Sequence, residues 1–184
     1  MRRPDNKSLI LAAVMTVATL LLTWLIRVDI VISEQTAGYW TMGDVGVYLS
    51  AALLGGPWGA LCAAVASALA DIIVGQAIYA PASLILKAAM ALLCARLLKR
   101  GRDWAQLART IGICGVVMVL GYFFYDLVIR GNYLIAALGL PFNLLQVLAS
   151  GLVTVPVLKL LGGPSYEEKG AAFGPTSTNK RQLK

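Results

Sequence analysis

The chain opens with a continuous apolar run from Leu9 to Ile26, preceded by Arg2, Arg3 and Lys7. That run is long for the roughly 7–15-residue apolar region of a signal peptide, and Arg27-Val28-Asp29 offers no small-residue cleavage site. The pattern therefore predicts a retained first helix. A polar stretch, Asp29 to Met42, follows and ends in Tyr39-Trp40-Thr41-Met42-Gly43-Asp44, which reads as an outer loop with interfacial aromatics. Val45 to Ala70 is almost continuously apolar, broken only by Gly55-Gly56-Pro57-Trp58-Gly59. Gly-Gly-Pro is a strong breaker. The first arm would rise only about 17 Å, short of the roughly 30 Å hydrocarbon core, so a tilted or partly re-entrant second helix is expected before a third. The third helix ends near Gly75-Gln76, and Pro81 suits the first turn of a fourth that runs to about Leu98. A fifth covers about Thr110 to Ile129, Arg130-Gly131-Asn132-Tyr133 turns the chain, and a sixth runs from about Pro141 to Leu161. From Gly162 the chain is polar and rich in Gly, Pro and Ser, and residues 162–184 read as a disordered cytoplasmic tail.

Composition sharpens this into a fold class. Apolar residues make up 59% of the 184 and charged residues 14%, against roughly 45–50% and about 25% in soluble domains. Mean hydropathy is +0.76. No single soluble core of this length could bury so much apolar surface. The expectation is an all-α integral membrane protein: residues 1–161 as one bundle of six transmembrane helices in the lipid bilayer, with no attached soluble domain and no Walker A glycine loop.

The net charge of +7 reports topology rather than nucleic-acid binding. Arg2, Arg3 and Lys7 lie at one end, and Arg96, Lys99, Arg100, Arg102 and Arg109 surround the middle loop. Lys159, Lys169, Lys180, Arg181 and Lys184 lie at the other end. Only Arg27, Lys87 and Arg130 fall elsewhere. Six helices put both termini and the middle loop on the cytoplasmic side, the favoured side for basic residues. The chain has no histidine, which argues against zinc hydrolases and nickel or cobalt permeases. Cys62, Cys94 and Cys114 lie in apolar segments without C-x-x-C spacing and read as buried filler. Without a G-x-S-x-G, an H-E-x-x-H or a histidine base, no catalytic set emerges, and neither a cofactor nor a metal is implied.

Polar groups inside spans are costly and mark a cavity or a partner. Asp71 lies in the third helix. Ser83 and Lys87 lie one turn apart on the fourth, Tyr122 and Asp126 on the fifth, and Asn143 and Gln146 on the sixth. Counted from the outer helix ends, Lys87, Asp126 and Gln146 all fall within roughly 6–10 Å of the outer surface. That shared depth predicts a small polar pocket open to the outside, with the Tyr39–Asp44 loop as its lid. Each group also has a structural reading. Lys87 could form an ion pair with Asp71 or Asp126. Asp44 could close a Thr41-x-x-Asp44 capping box. Tyr39 and Trp40 could be interfacial anchors, and Asn143 and Gln146 could bond helix to helix.

The segment from Gly38 through Tyr39-Trp40-Thr41-Met42-Gly43-Asp44 to Leu54-Gly55-Gly56-Pro57-Trp58-Gly59-Ala60 resembles the substrate-binding S components of energy-coupling factor (ECF) vitamin transporters. Ser67-Ala-Leu-Ala-Asp71 and Tyr79-Ala-Pro-Ala-Ser-Leu-Ile-Leu-Lys87 add to the resemblance. It is nearest the riboflavin-type branch, with hydroxymethylpyrimidine carriers nearby. The resemblance implies a six-helix S component in a prokaryotic inner membrane. Such a subunit captures a water-soluble vitamin at the outer face and delivers it with a transmembrane coupling subunit and two cytoplasmic ATPases. Carried over by position, Tyr39, Trp40, Thr41, Asp44, Lys87, Tyr122, Asp126, Asn143 and Gln146 become substrate-binding candidates. The family's small-residue docking face on helix one reads here as Ser8, Ala12 and Thr16. Two other functions compete: a ligand-free membrane scaffold or morphogenesis subunit, and a secondary transporter acting as a dimer.

Overall fold

The computed structural model describes residues 6–32 and 35–161; the expected tail falls outside them. Among the described residues six α-helices form: α1 Asn6–Leu25, α2 Gly43–Leu54, α3 Gly56–Ile73, α4 Ala80–Leu97, α5 Trp104–Arg130 and α6 Tyr133–Leu160. Between α1 and α2 lie two strands, β1 Arg27–Ile32 and β2 Gln35–Thr41. All helices except α2 are long and apolar enough to cross a membrane.

The α2 helix has 12 residues and rises about 18 Å, well short of a bilayer core. It ends at Gly55, whose φ of 70° lies in the left-handed region that glycine enters without a Cβ penalty. Pro57 then opens α3 in its first turn. A helix this short leaves backbone groups at membrane depth, which is tolerated where protein covers them. Here α2 packs against α1, α3, α4 and α6, and Val47, Tyr48, Ser50 and Ala51 have no exposed surface. Glycine makes the closest approach possible. A Cβ at Gly46 would stand 2.7 Å from the Thr19 Cα of α1.

Hydrogen-bonding caps set two helix starts that apolar periodicity placed too late. The Asp103 carboxylate accepts from Gln106 N at 2.7 Å, so α5 begins at Trp104 rather than Thr110. The Asn132 side chain accepts from Leu134 N and Ile135 N, so α6 begins at Tyr133 and Pro141 lies inside it. Proline at that position deprives the Ala137 carbonyl of its usual intrahelical donor.

The segment read as an outer loop is an antiparallel hairpin. Arg27 pairs with Thr41, Val28 with Trp40, Asp29 with Tyr39 and Ile30 with Gly38, and an irregularity follows between Ile30 and Val31. Met42 N donates to Ile26 O at 3.1 Å and ties the feet of the hairpin together. At the far end of the bundle, beside the basic α4–α5 connection, Met90, Cys94, Leu98, Leu107, Ile111, Cys114 and Leu158 form an apolar core. The three cysteines are buried and free.

Of the stripe expected to dock a partner, Ser8 is buried and Ala12 and Thr16 are half-buried. Ala12 packs beside Met15 and Cys62, and its carbonyl accepts from the Cys62 thiol of α3. The Thr16 hydroxyl lies on the flank and bonds back to Ala12 O at 2.8 Å. The open face of α1 carries Ile10, Val14 and Val17.

Candidate functional site

A cavity of about 780 Å³, counted to its open mouth, lies under the hairpin among α2, α3, α4, α5 and α6. Tyr39, Thr41, Asp44, Lys87, Tyr122, Asp126, Asn143 and Gln146, all expected from the sequence, line it together. Trp40 does not. Successive strand residues point to opposite faces, so Tyr39 and Thr41 turn toward the cavity and Trp40 turns away.

The buried polar groups form a connected set. Lys87 Nζ pairs with Asp44 Oδ1, not with Asp71 or Asp126. Its ammonium also lies 3.4 Å from Met118 Sδ and 5.4 Å from the Tyr122 ring centre, a cation–π distance. Asp44 Oδ2 accepts from Gln146 Nε2 at 2.8 Å. Asp44 therefore links α2, α4 and α6, and the capping box does not form. Instead Thr41 Oγ1 accepts from Gly43 N at 3.2 Å. The amide oxygen of Gln146 reaches the hairpin, accepting from Thr41 N at 3.2 Å.

A second group sits nearer the mouth. Tyr79 OH donates to Asp126 Oδ1 at 2.6 Å and accepts from Arg130 Nη2 at 2.9 Å. Arg130 Nε lies 3.5 Å from the same carboxylate oxygen. One turn along from this group, with the Tyr122 ring edge-on to Tyr79, Ser83 and Tyr122 share a hydrogen bond of 2.6 Å. Tyr39 OH donates to Asp71 Oδ1 across from the hairpin to α3. Burial, and then the Asp71 carboxylate, hold the Tyr39 phenol well above its ordinary titration range, so it stays a proton donor at neutral pH. No described residues form a cluster able to hold a metal ion.

Apolar and aromatic surface completes the wall: Ile30, Tyr79, Ile135, Leu138 and Phe142. A mostly apolar cavity with a few fixed polar groups is the usual form of a small-molecule site. Sequence reasoning omitted Ser67, Asp71, Tyr79, Ser83 and Phe142 from the binding list. Asp71 and Ser83 carried the same signal as Lys87, a polar group inside a span. Tyr79 and Phe142 carried none, since aromatic residues at helix ends are ordinary interfacial anchors.

The family model described as "ECF-type riboflavin transporter, S component" matches residues 5–162. The chain belongs to that family. No curated protein sequence matches it. Among solved structures, one reported as "Structure and mechanism of the S component of a bacterial ECF transporter" superimposes with a TM-score of 0.62 at 20% identity. The match covers 92% of this chain and 99% of that one. The bundle of this S component thus shares the fold of a solved relative, and its helices make it a multi-pass membrane protein of the transport type.

Proposed function

We propose that this S component captures riboflavin, or a closely similar water-soluble vitamin, at the outer face of a prokaryotic inner membrane. The observation that carries the reading is the cavity under the hairpin, where aromatic walls and a hydrogen-bonded polar floor meet. The family's name supplies the first ligand to try. A ligand-free scaffold has no need of three carboxylates in one cavity, since each buried charge costs stability unless it serves something.

In the same proposal α2 completes six spans, both termini and the α4–α5 connection face the cytoplasm, and residues 1–161 act as the binding domain. Uptake then requires a membrane coupling subunit and two ATPases. With Ser8 buried and Ala12 packed beside Cys62 of α3, the α1 surface most open to that subunit is the side carrying Ile10, Val14 and Val17.

Mass spectrometry of small molecules co-purifying with the solubilised protein tests the ligand, and quenching of riboflavin fluorescence measures its affinity. Absence of both signals rejects a flavin. Uptake into liposomes holding this chain alone, driven by an ion gradient, points instead to a secondary transporter. Labelling of Arg100→Cys by an impermeant thiol reagent in intact cells reverses the topology. Arg100 suits this because it is exposed, whereas Arg102 is partly buried and donates to Ala52 O.

A further inference from the structure

Two of the three cavity carboxylates are answered by cations: Asp44 by Lys87 and Asp126 by Arg130. Asp71 is not. It is 2% exposed, and no described lysine or arginine forms an ion pair with it. Its Oδ1 accepts from Tyr39 of the hairpin. Its Oδ2 is buried with no hydrogen-bond partner, although the residue lines the cavity. An orphaned carboxylate oxygen at this depth is costly. A ligand that brings a hydrogen to it recovers that cost only when bound.

Building on the flavin-type reading above, we propose that Asp71 Oδ2 is the acceptor for an N–H donor on the ligand's ring system. In a flavin that donor is the imide N–H between two ring carbonyls. Hydroxyl donors stand close by for a flanking carbonyl. The Ser83 hydroxyl is near enough to the Asp71 carboxylate to act on it as a donor and shares one hydrogen bond with Tyr122; once a ligand N–H takes Oδ2, that pair of hydroxyls keeps one proton to donate to the flanking carbonyl. The carboxylate then has two tasks on two oxygens. One receives the ligand and the other holds the lid, so occupancy and closure meet at a single residue.

The test uses the full-length protein in nanodiscs, with riboflavin and 3-methylriboflavin as probes. The methylated probe keeps the ring and lacks the donor. Wild-type protein should bind 3-methylriboflavin at least tenfold more weakly than riboflavin. Asp71→Asn places an amide where the orphan oxygen was and should weaken riboflavin by at least tenfold. Against Asp71→Asn the two probes should differ by less than threefold, because the acceptor that told them apart is gone. Asp71→Glu, which keeps the charge but moves it, provides the same comparison should Asp71→Asn fail to fold. Equal wild-type affinity for both probes overturns the Asp71 assignment while leaving the flavin reading intact. So does a probe difference that persists unchanged in the variants. Wild-type protein that binds neither probe overturns the flavin reading itself, and the assignment with it.

Discussion

The two ends of the bundle are built from different materials. At the basic-loop end, Met90, Cys94, Leu107, Ile111 and Cys114 pack an apolar core, and the polar side chains buried beside it, Thr110 and Thr154, are uncharged. At the hairpin end, Asp44, Asp71, Ser83, Lys87, Asp126 and Gln146 are buried just as deeply. Lipid gives little reason for an apolar side chain to leave it, so packing of the first kind holds by close contact of small and flexible side chains. The second kind holds by hydrogen bonds and ion pairs whose desolvation is expensive. A protein selected for stability alone would extend the first arrangement along its whole length. On the proposed function, the polar end is the part shaped by a ligand.

The largest effect should come from splitting that end's central pair. Lys87→Ala leaves Asp44 buried without its cation, a change that typically costs about 3–5 kcal/mol. The apo protein should melt far earlier. Joining Lys87→Met to Asp44→Asn should recover most of the loss, because both charges leave together. If the double variant melts as early as Lys87→Ala, the ammonium has a role beyond Asp44.

A cut of similar size at the other end should separate folding from binding. Leu107 is fully buried, and Leu107→Ala should cost about 2–5 kcal/mol of stability. Riboflavin affinity in the folded fraction should stay within twofold of wild type. A tenfold weakening would mean that the two ends are coupled through α5.

Binding without much loss of fold is expected from the lid. Tyr39→Phe removes the hydroxyl that bridges the hairpin to Asp71. A hydrogen bond to a charged group is worth about 1.5–3 kcal/mol, so affinity should fall roughly 10–150-fold. An unchanged dissociation constant would show that the hairpin does not close over the ligand. The smallest effect belongs to Arg130→Gln. Its pair with Asp126 sits near the mouth, with side-chain exposures of 22% and 12%, and partly solvated pairs contribute about 1 kcal/mol or less. A melting shift as large as that of Lys87→Ala would erase the contrast between the floor and the rim.

Much of this was legible in the residues. Gly55-Gly56-Pro57 marked the end of a half-length helix, and polar groups at one depth on α4, α5 and α6 marked the cavity. The hairpin was missed although Val28, Ile30 and Ile32 alternate with Arg27 and Asp29, the period of a strand. Beside so many apolar runs, a short polar segment read as loop. The choice of partner for Lys87 was beyond sequence reasoning in a stricter sense. Asp44, Asp71 and Asp126 all lie at compatible depths, and only the packing of α2 into the centre of the bundle brings Asp44 to it. Helix boundaries failed where single side chains decide them. Asp103 and Asn132 start α5 and α6 by capping, whereas Pro141, which looked like a start, is interior.

The tie between Met42 and Ile26 makes the hairpin a flap with both feet fixed. Such an element swings as one piece rather than fraying strand by strand. Its contacts with the cavity floor and wall are few and specific: Thr41 on Gln146 and Tyr39 on Asp71. Ligand residence time is then governed by how often those contacts break at once. On the proposed function, a bound ligand should exchange slowly with the medium even where its equilibrium affinity is modest, and stay aboard long enough for a slower membrane-bound partner to arrive.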